Sequence, residues 1–158
     1  MAVDFYLKLD GITGEATDSN HKDQIQLLSF SWGGSQVTSV AGTGGSGAGK
    51  ADLSDLSIMK YMDKASPGLF KAMISGTHIK TGILSAVKAG GDGKPFLKLS
   101  LEELFVTSVQ TSASSEIPSE SVSFSYNKIK IEYKTQKADG TLTAAGVVTY
   151  DLKQNVAS

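Results

Sequence analysis

The residues best placed to do chemistry lie in a glycine-rich stretch. Gly44-Gly45-Ser46-Gly47-Ala48-Gly49-Lys50 matches most of the phosphate-binding pattern G-x-x-x-x-G-K-[ST]. That pattern works because backbone amides surround the phosphates, the lysine reaches the outer ones and the final hydroxyl holds magnesium. Here the hydroxyl position is Ala51, so the magnesium ligand is missing. The pattern must also open a helix, whereas the residues from Ala51 onward alternate like a strand. A structural loop is the better reading, with nucleotide hydrolysis through Lys50 as the competing one.

The other candidates are weaker. His21 stands in a polar loop with Asp18, Asn20 and Asp23, in a spacing that fits no cation loop, and is expected to be solvated. His78 follows a short helix, where a cation would favour the negative end of the helix dipole. Glu102 and Glu103 point to opposite faces if Leu101 to Phe105 is a regular strand, so they make no acid/base pair. Without cysteine there is no disulfide, thiolate metal site or cysteine nucleophile, and no serine sits in G-x-S-x-G. Trp32 heads an apolar face and is expected in a core; an exposed Trp32 would instead favour a monomeric β-sandwich that binds carbohydrate. No catalytic, cofactor or metal residue is assigned.

The elements that position these residues are mostly strands. Val3, Phe5, Leu7 and Leu9 alternate with Asp4, Tyr6 and Lys8. A polar loop follows from Gly11 to about Lys22. A second strand over about 24–32 puts Leu28, Phe30 and Trp32 on one face and Ser29 and Ser31 on the other, although Ile25 and Leu27 share the serine parity. Further strands are predicted over about 51–61, 79–88, 96–107, 122–133 and 147–152. Turns are expected at Gly90-Gly91-Asp92-Gly93 and Asp139-Gly140. Val122, Phe124 and Tyr126 occupy even positions but Ile129, Ile131 and Tyr133 odd ones, which requires a bulge or face switch near Asn127-Lys128. Ser66-Pro67 reads as N-cap and first helical residue, Leu69/Met73 and Phe70/Ile74 as i,i+4 apolar pairs, and Gly76 as the helix stop.

The 158 residues suit one domain over 1–158, a closed or nearly closed mostly-β barrel with one helix. Residues 41–49 contain five glycines, which cost too much backbone entropy to order alone. This loop, about 34–50, is expected to meet a partner. Fifteen basic and 16 acidic residues leave a net charge of -1, which gives no footprint for nucleic acid and little repulsion between copies. No apolar run reaches membrane-spanning length. The opening Met1-Ala2-Val3-Asp4 lacks the basic and apolar regions of a cleaved leader, so synthesis in the cytoplasm is expected, with any export by a route that needs none.

Several blocks resemble the haemolysin-coregulated protein (Hcp) family, the tube subunit of bacterial type VI secretion. They are Met1-Ala2-Val3-Asp4-Phe5-Tyr6-Leu7-Lys8, Leu28-Ser29-Phe30-Ser31-Trp32-Gly33, Gly47-Ala48-Gly49-Lys50 with Asp55-Leu56-Ser57, and Lys60-Tyr61-Met62-Asp63-Lys64. Ser66-Pro67, Ala89-Gly90-Gly91, Gln136-Lys137-Ala138-Asp139-Gly140 and Gln154-Asn155-Val156 agree in kind and order. The resemblance implies a two-sheet β-barrel with a flanking helix, six copies in a ring, and rings stacked into a hollow tube. It implies as partners a contractile sheath, a spike of the VgrG type and effector proteins carried in the lumen, with release of the subunit on contraction. Neither nucleic-acid binding nor membrane insertion is expected, given the charge balance and the absence of a long apolar run. Gly42, Thr43, Gly44, Gly45, Ser46, Gly47, Ala48, Gly49 and Lys50 then resemble the family's extended loop to neighbouring subunits or rings, and Ser29 and Ser31 are expected to face the lumen.

Overall fold

A computed structural model describes residues 2–36 and 51–158. Gly42 to Lys50 therefore lie outside the described residues. The described chain is mostly β, with two main sheets and one short helix. Strand β1 is Val3–Leu9, β2 Ile25–Leu27, β3 Ser29–Ser31, β4 Gly34–Ser35, β5 Asp52–Leu53 and β6 Leu56–Tyr61. Helix α1 is Ser66–Ser75, followed by β7 Ile79–Lys88, β8 Pro95–Ser112, β9 Ser119–Ser125, β10 Lys128–Gln136, β11 Leu142–Asp151 and β12 Val156–Ala157.

The larger sheet runs β12-β11-β10-β8-β7-β1-β2, and the second comprises β3, β6, β9 and the C-terminal part of β8. A small β4-β5 pair stands apart. The two sheets share β8 and pack their apolar faces together. Leu7, Ile25, Leu56, Ile58, Leu84, Leu99, Leu104, Val122 and Phe124 are fully buried between them. Gly82 is needed there, because a Cβ would stand 3.0 Å from Leu9 and 3.2 Å from Leu104 side-chain atoms.

Three corners let strands pass from one sheet to the other. At Leu28 the expected single strand over 24–32 divides: β2 pairs β1, and β3 pairs β6. Buried positions change parity there, from Ile25 and Leu27 to the partly buried Phe30 and Trp32, which leaves Leu28 exposed. In β8 the buried residues change from Leu99 and Leu101 to Leu104 and Val106 across Glu103, a non-glycine residue at φ 52°. The expected strand over 122–133 breaks at Asn127 into β9, which pairs β6, and β10, which pairs β11. The phase change near Asn127-Lys128 is therefore real. Among the described residues the barrel is not closed by a hydrogen-bonded ladder: β2 and β3 are successive pieces of one chain, separated by Leu28.

The helix start differs from the expectation. Ala65 is the cap residue, Ser66 the first helical residue and Pro67 the second. The Ser66 hydroxyl is drawn instead into a buried charged cluster, and Asp63 Oδ1 accepts from the Ala65 N–H at 2.9 Å. Gly76 ends the helix at φ 64°, as its position implies. Leu69 and Met73 face the core, whereas Phe70 and Ile74 are exposed. The strand expected over 51–61 is two pieces, β5 and β6, interrupted at Ser54-Asp55.

Candidate functional site

The smaller sheet presents an outward face rich in hydroxyls, with Met59, Phe105 and Gln110 among them. Antiparallel partners share a face, so register alone defines its rows. One row is Ser31, Ser57, Ser123 and Ser108 across β3, β6, β9 and β8; the next is Ser29, Met59, Ser121 and Gln110. A third carries Tyr61, Ser119 and Ser112. The Ser57 and Ser123 hydroxyls are 3.2 Å apart. None of these rows holds an Asp, Glu, Lys, Arg or His side chain. Asp55 stands at the rim and accepts a hydrogen bond from Thr107 at 2.8 Å. Ser29 and Ser31 are exposed on this face. The alternation Ser119-Glu120-Ser121-Val122-Ser123-Phe124-Ser125 carries the same signal, and the expectations from sequence left it unused.

The charges of this sheet point the other way. Lys60 of β6 and Glu120 of β9 are register partners whose side chains are 0% and 1% exposed. Lys60 Nζ lies 2.9 Å from Asp63 Oδ1, 3.0 Å from both Tyr61 O and Ser66 Oγ, and 3.5 Å from Glu120 Oε1. Ser66 Oγ accepts from the Asp63 N–H at 3.0 Å and donates to Glu120 Oε1. Buried ions persist only when their charge and hydrogen-bonding capacity are both met, and here they are. The cluster locks the start of α1 to the end of the hydroxyl face.

The remaining candidates are structural. His21 is buried, contrary to expectation: its ring stacks on Tyr6 at 4.4 Å and 5°, and its Nδ1 lies 3.0 Å from Asp18 Oδ2. That bond holds the Asp18 carboxyl below its usual range, while burial, followed by Asp4 and Asp18, raises the Tyr6 phenol. His78 is exposed beside Phe105. Trp32 is half-buried against the core, so it offers no open sugar platform. Glu102 and Glu103 do not form a pair. Glu103 Oε2 instead accepts from Asn127 Nδ2 and Lys153 Nζ, each at 2.7 Å. The Lys153 hydrogen bond, and next that of Asn127, hold its carboxyl below the usual range. Tyr126 donates to Ser54 O at 2.8 Å, and burial, aided by the Asp55 charge, pushes its phenol up to about 12. No group of three His, Asp or Glu side chains among the described residues could hold a metal ion. No helix among them is long and apolar enough to cross a membrane.

This architecture defines a class: a two-sheet β protein with one helix, whose distinctive surface is a neutral hydroxyl face. The model of the type VI secretion system effector family Hcp matches residues 6–133. The chain is 39% identical to protein Hcp1 of Pseudomonas aeruginosa over 99% of both chains. Among solved structures, it is similar to a type six secretion system protein with TM-score 0.92 and 33% identity, covering 99% of this chain and 100% of that one. It is also similar to Hcp1 from Salmonella typhimurium with TM-score 0.81 and 36% identity over the whole of both chains. The chain belongs to the Hcp family of type VI secretion proteins.

Proposed function

We propose that this chain is a structural, non-catalytic subunit of the type VI secretion tube, and that its 158 residues act as one domain. Six copies close into a ring, rings stack into a hollow tube, and the hydroxyl face of the smaller sheet lines the lumen. The observation that carries this reading is that face. Three serine-rich rows carry no charge, and the only charged pair in their register points inward. A neutral hydroxyl wall can hydrogen-bond to a passing polypeptide without trapping either sign of charge.

The segment over 34–50, including Gly42 to Lys50, reaches a neighbouring subunit or ring. The sheath surrounds the tube, a spike of the VgrG type caps it, and effectors ride in the lumen. The subunit leaves the cell when the sheath contracts. No cofactor takes part.

Light scattering coupled to size exclusion tests the ring. Six copies of a 16.6 kDa chain give about 100 kDa; a mass of one chain that persists across concentrations would overturn the ring. Ser31→Gln tests the lumen. It should narrow the bore and reduce cargo loading while mass stays at the ring value; a loss of the ring in folded protein would place Ser31 at an interface instead.

A further inference from the structure

The hydroxyl face is not uniform along its length. Its third row, Tyr61, Ser119 and Ser112, is the floor of a cleft of about 210 Å³. Glu116 and Ile117, from the connection between β8 and β9, form a wall of it. That connection turns through Ser115 at φ 56°, a left-handed conformation uncommon for serine. The Met62 N–H then donates to Pro118 O at 2.8 Å, which ties the connection to the end of β6. The floor is held from behind as well. Lys60 Nζ donates to Tyr61 O at 3.0 Å, and Ser119 directly precedes Glu120 of the buried cluster. The cleft is therefore built before a ligand arrives, and binding need not order these segments.

Its chemistry departs from the wall beside it. Ile117 is 66% exposed, Tyr61 51% and, one row back on the same strand, Met59 39%. The row farther along, from Ser31 to Ser108, holds no apolar side chain. Exposed apolar groups gathered beside a polar surface mark a site of interaction. The cleft is smaller than the ~300–1,000 Å³ of pockets that enclose a whole small molecule, so it suits a side chain or two of a longer chain. Glu116 is exposed and is the one carboxylate in the lining, which contains no Lys, Arg or His. It makes no ion pair among the described residues.

We infer that this cleft is a cargo subsite, and that its occupant is an extended polypeptide segment carrying a large aliphatic side chain beside a lysine or arginine. The aliphatic group packs between Ile117 and the Tyr61 ring, and the cation stands at Glu116. The Ser112 and Ser119 hydroxyls, each both donor and acceptor, meet the segment's backbone. The serine rows let a chain slide, whereas this end grips it. Six such clefts in one ring would add weak contacts into a useful hold. The inference rests on reading this face as the lumen wall, and it adds which polypeptides that wall selects.

The test uses the full-length chain and three fluorescein-labelled peptides of Gly-Ser background, with leucine-lysine, serine-lysine or leucine-glutamate at the centre. In anisotropy titrations the leucine-lysine peptide should bind about tenfold tighter than either of the others. Ile117→Ser should bring it down to the level of the serine-lysine peptide. Glu116→Gln should keep the preference for leucine and abolish that for lysine over glutamate. Both side chains are exposed, circular dichroism shows that the variants fold, and their scattering mass should stay that of wild type. Equal binding of the three peptides, binding of none, or variants without effect overturns the inference and leaves the ring standing. A folded Ile117→Ser protein of reduced mass also overturns it, because Ile117 then belongs to a contact between copies. The cleft lies within one chain, so a monomeric wild type overturns the ring reading while the peptides still decide this inference.

Discussion

The two sheets place their charges on opposite sides. Outward rows of the larger sheet read Ser85, Lys98, Glu132, Val147, and Thr81, Glu102, Lys128, Asp151, with charges of both signs in solvent. Lys130 meets Glu132 there at 3.3 Å, with side chains 44% and 28% exposed. The smaller sheet turns Lys60 and Glu120 into the protein and leaves serines outside. An outward charge needs only water and tolerates change. An inward one needs every partner in place, so a sheet that conceals its charges does so at the cost of a demanding interior. The contrast supports the proposed role of the serine face as a neutral wall, since an exposed Lys60 would avoid the desolvation cost of the buried pair.

The comparison can be broken most sharply at Lys60. Lys60→Met leaves Glu120 buried without its cation and should destabilise by ~3–5 kcal/mol in urea denaturation, whereas adding Glu120→Leu should recover most of the loss. A small effect of the single change would mean that the buried pair does not hold the face in place. Tyr126→Phe removes the bond to Ser54 O and should cost about 1 kcal/mol. Its phenol is raised on folding, so the neutral form favours the native state. That contribution is complete below the ordinary tyrosine value of 10.0 and disappears as pH rises toward about 12. Urea midpoints across this range should fall less steeply for Tyr126→Phe than for wild type. Ser123→Lys puts a cation in the central serine row. Its fold should change by no more than about 0.5 kcal/mol, yet assembled mass should become dependent on salt, while Lys130→Ser on the other sheet should not produce that dependence. The smallest effect is expected for Lys153→Ala. The Glu103 carboxyl is held below its usual range, so its contribution is present above the ordinary glutamate pKa and lost as pH falls through the lowered value. Lys153→Ala should shift the melting midpoint slightly at neutral pH and low salt, and not in acid or high salt.

The sequence makes the strands legible because parity of apolar residues records which side is buried. It even marks the corner at Asn127, where Tyr126 and Ile129 are both buried three residues apart. The same reading misses Glu103, since a single left-handed residue inside a run of strand-formers leaves no local mark. Ser66 illustrates a different limit. Ser-Pro is a strong capping signal, but a buried ammonium and carboxylate compete for the same hydroxyl and win, because their unmet charge would cost more than an unfilled cap. His21 looks solvated among polar neighbours, and only the folded loop brings it onto Tyr6. Of the hydroxyl face, Ser29 and Ser31 were found from one strand, while Ser57, Ser108, Ser121 and Ser123 required the pairing that aligns four strands into rows.

The Glu103 corner has a geometric consequence. Its carboxylate ties Asn127 and Lys153 together at the point where β10 and β11 leave the barrel, and the Leu152 N–H donates to Asn127 O at 2.8 Å. These bonds help to set the direction in which β10 and β11 leave the second sheet. Under the ring reading proposed above, any such direction recurs in every copy, so an angular error of a few degrees is multiplied by the number of copies; a stiff corner then favours closure and a loose one an open spiral.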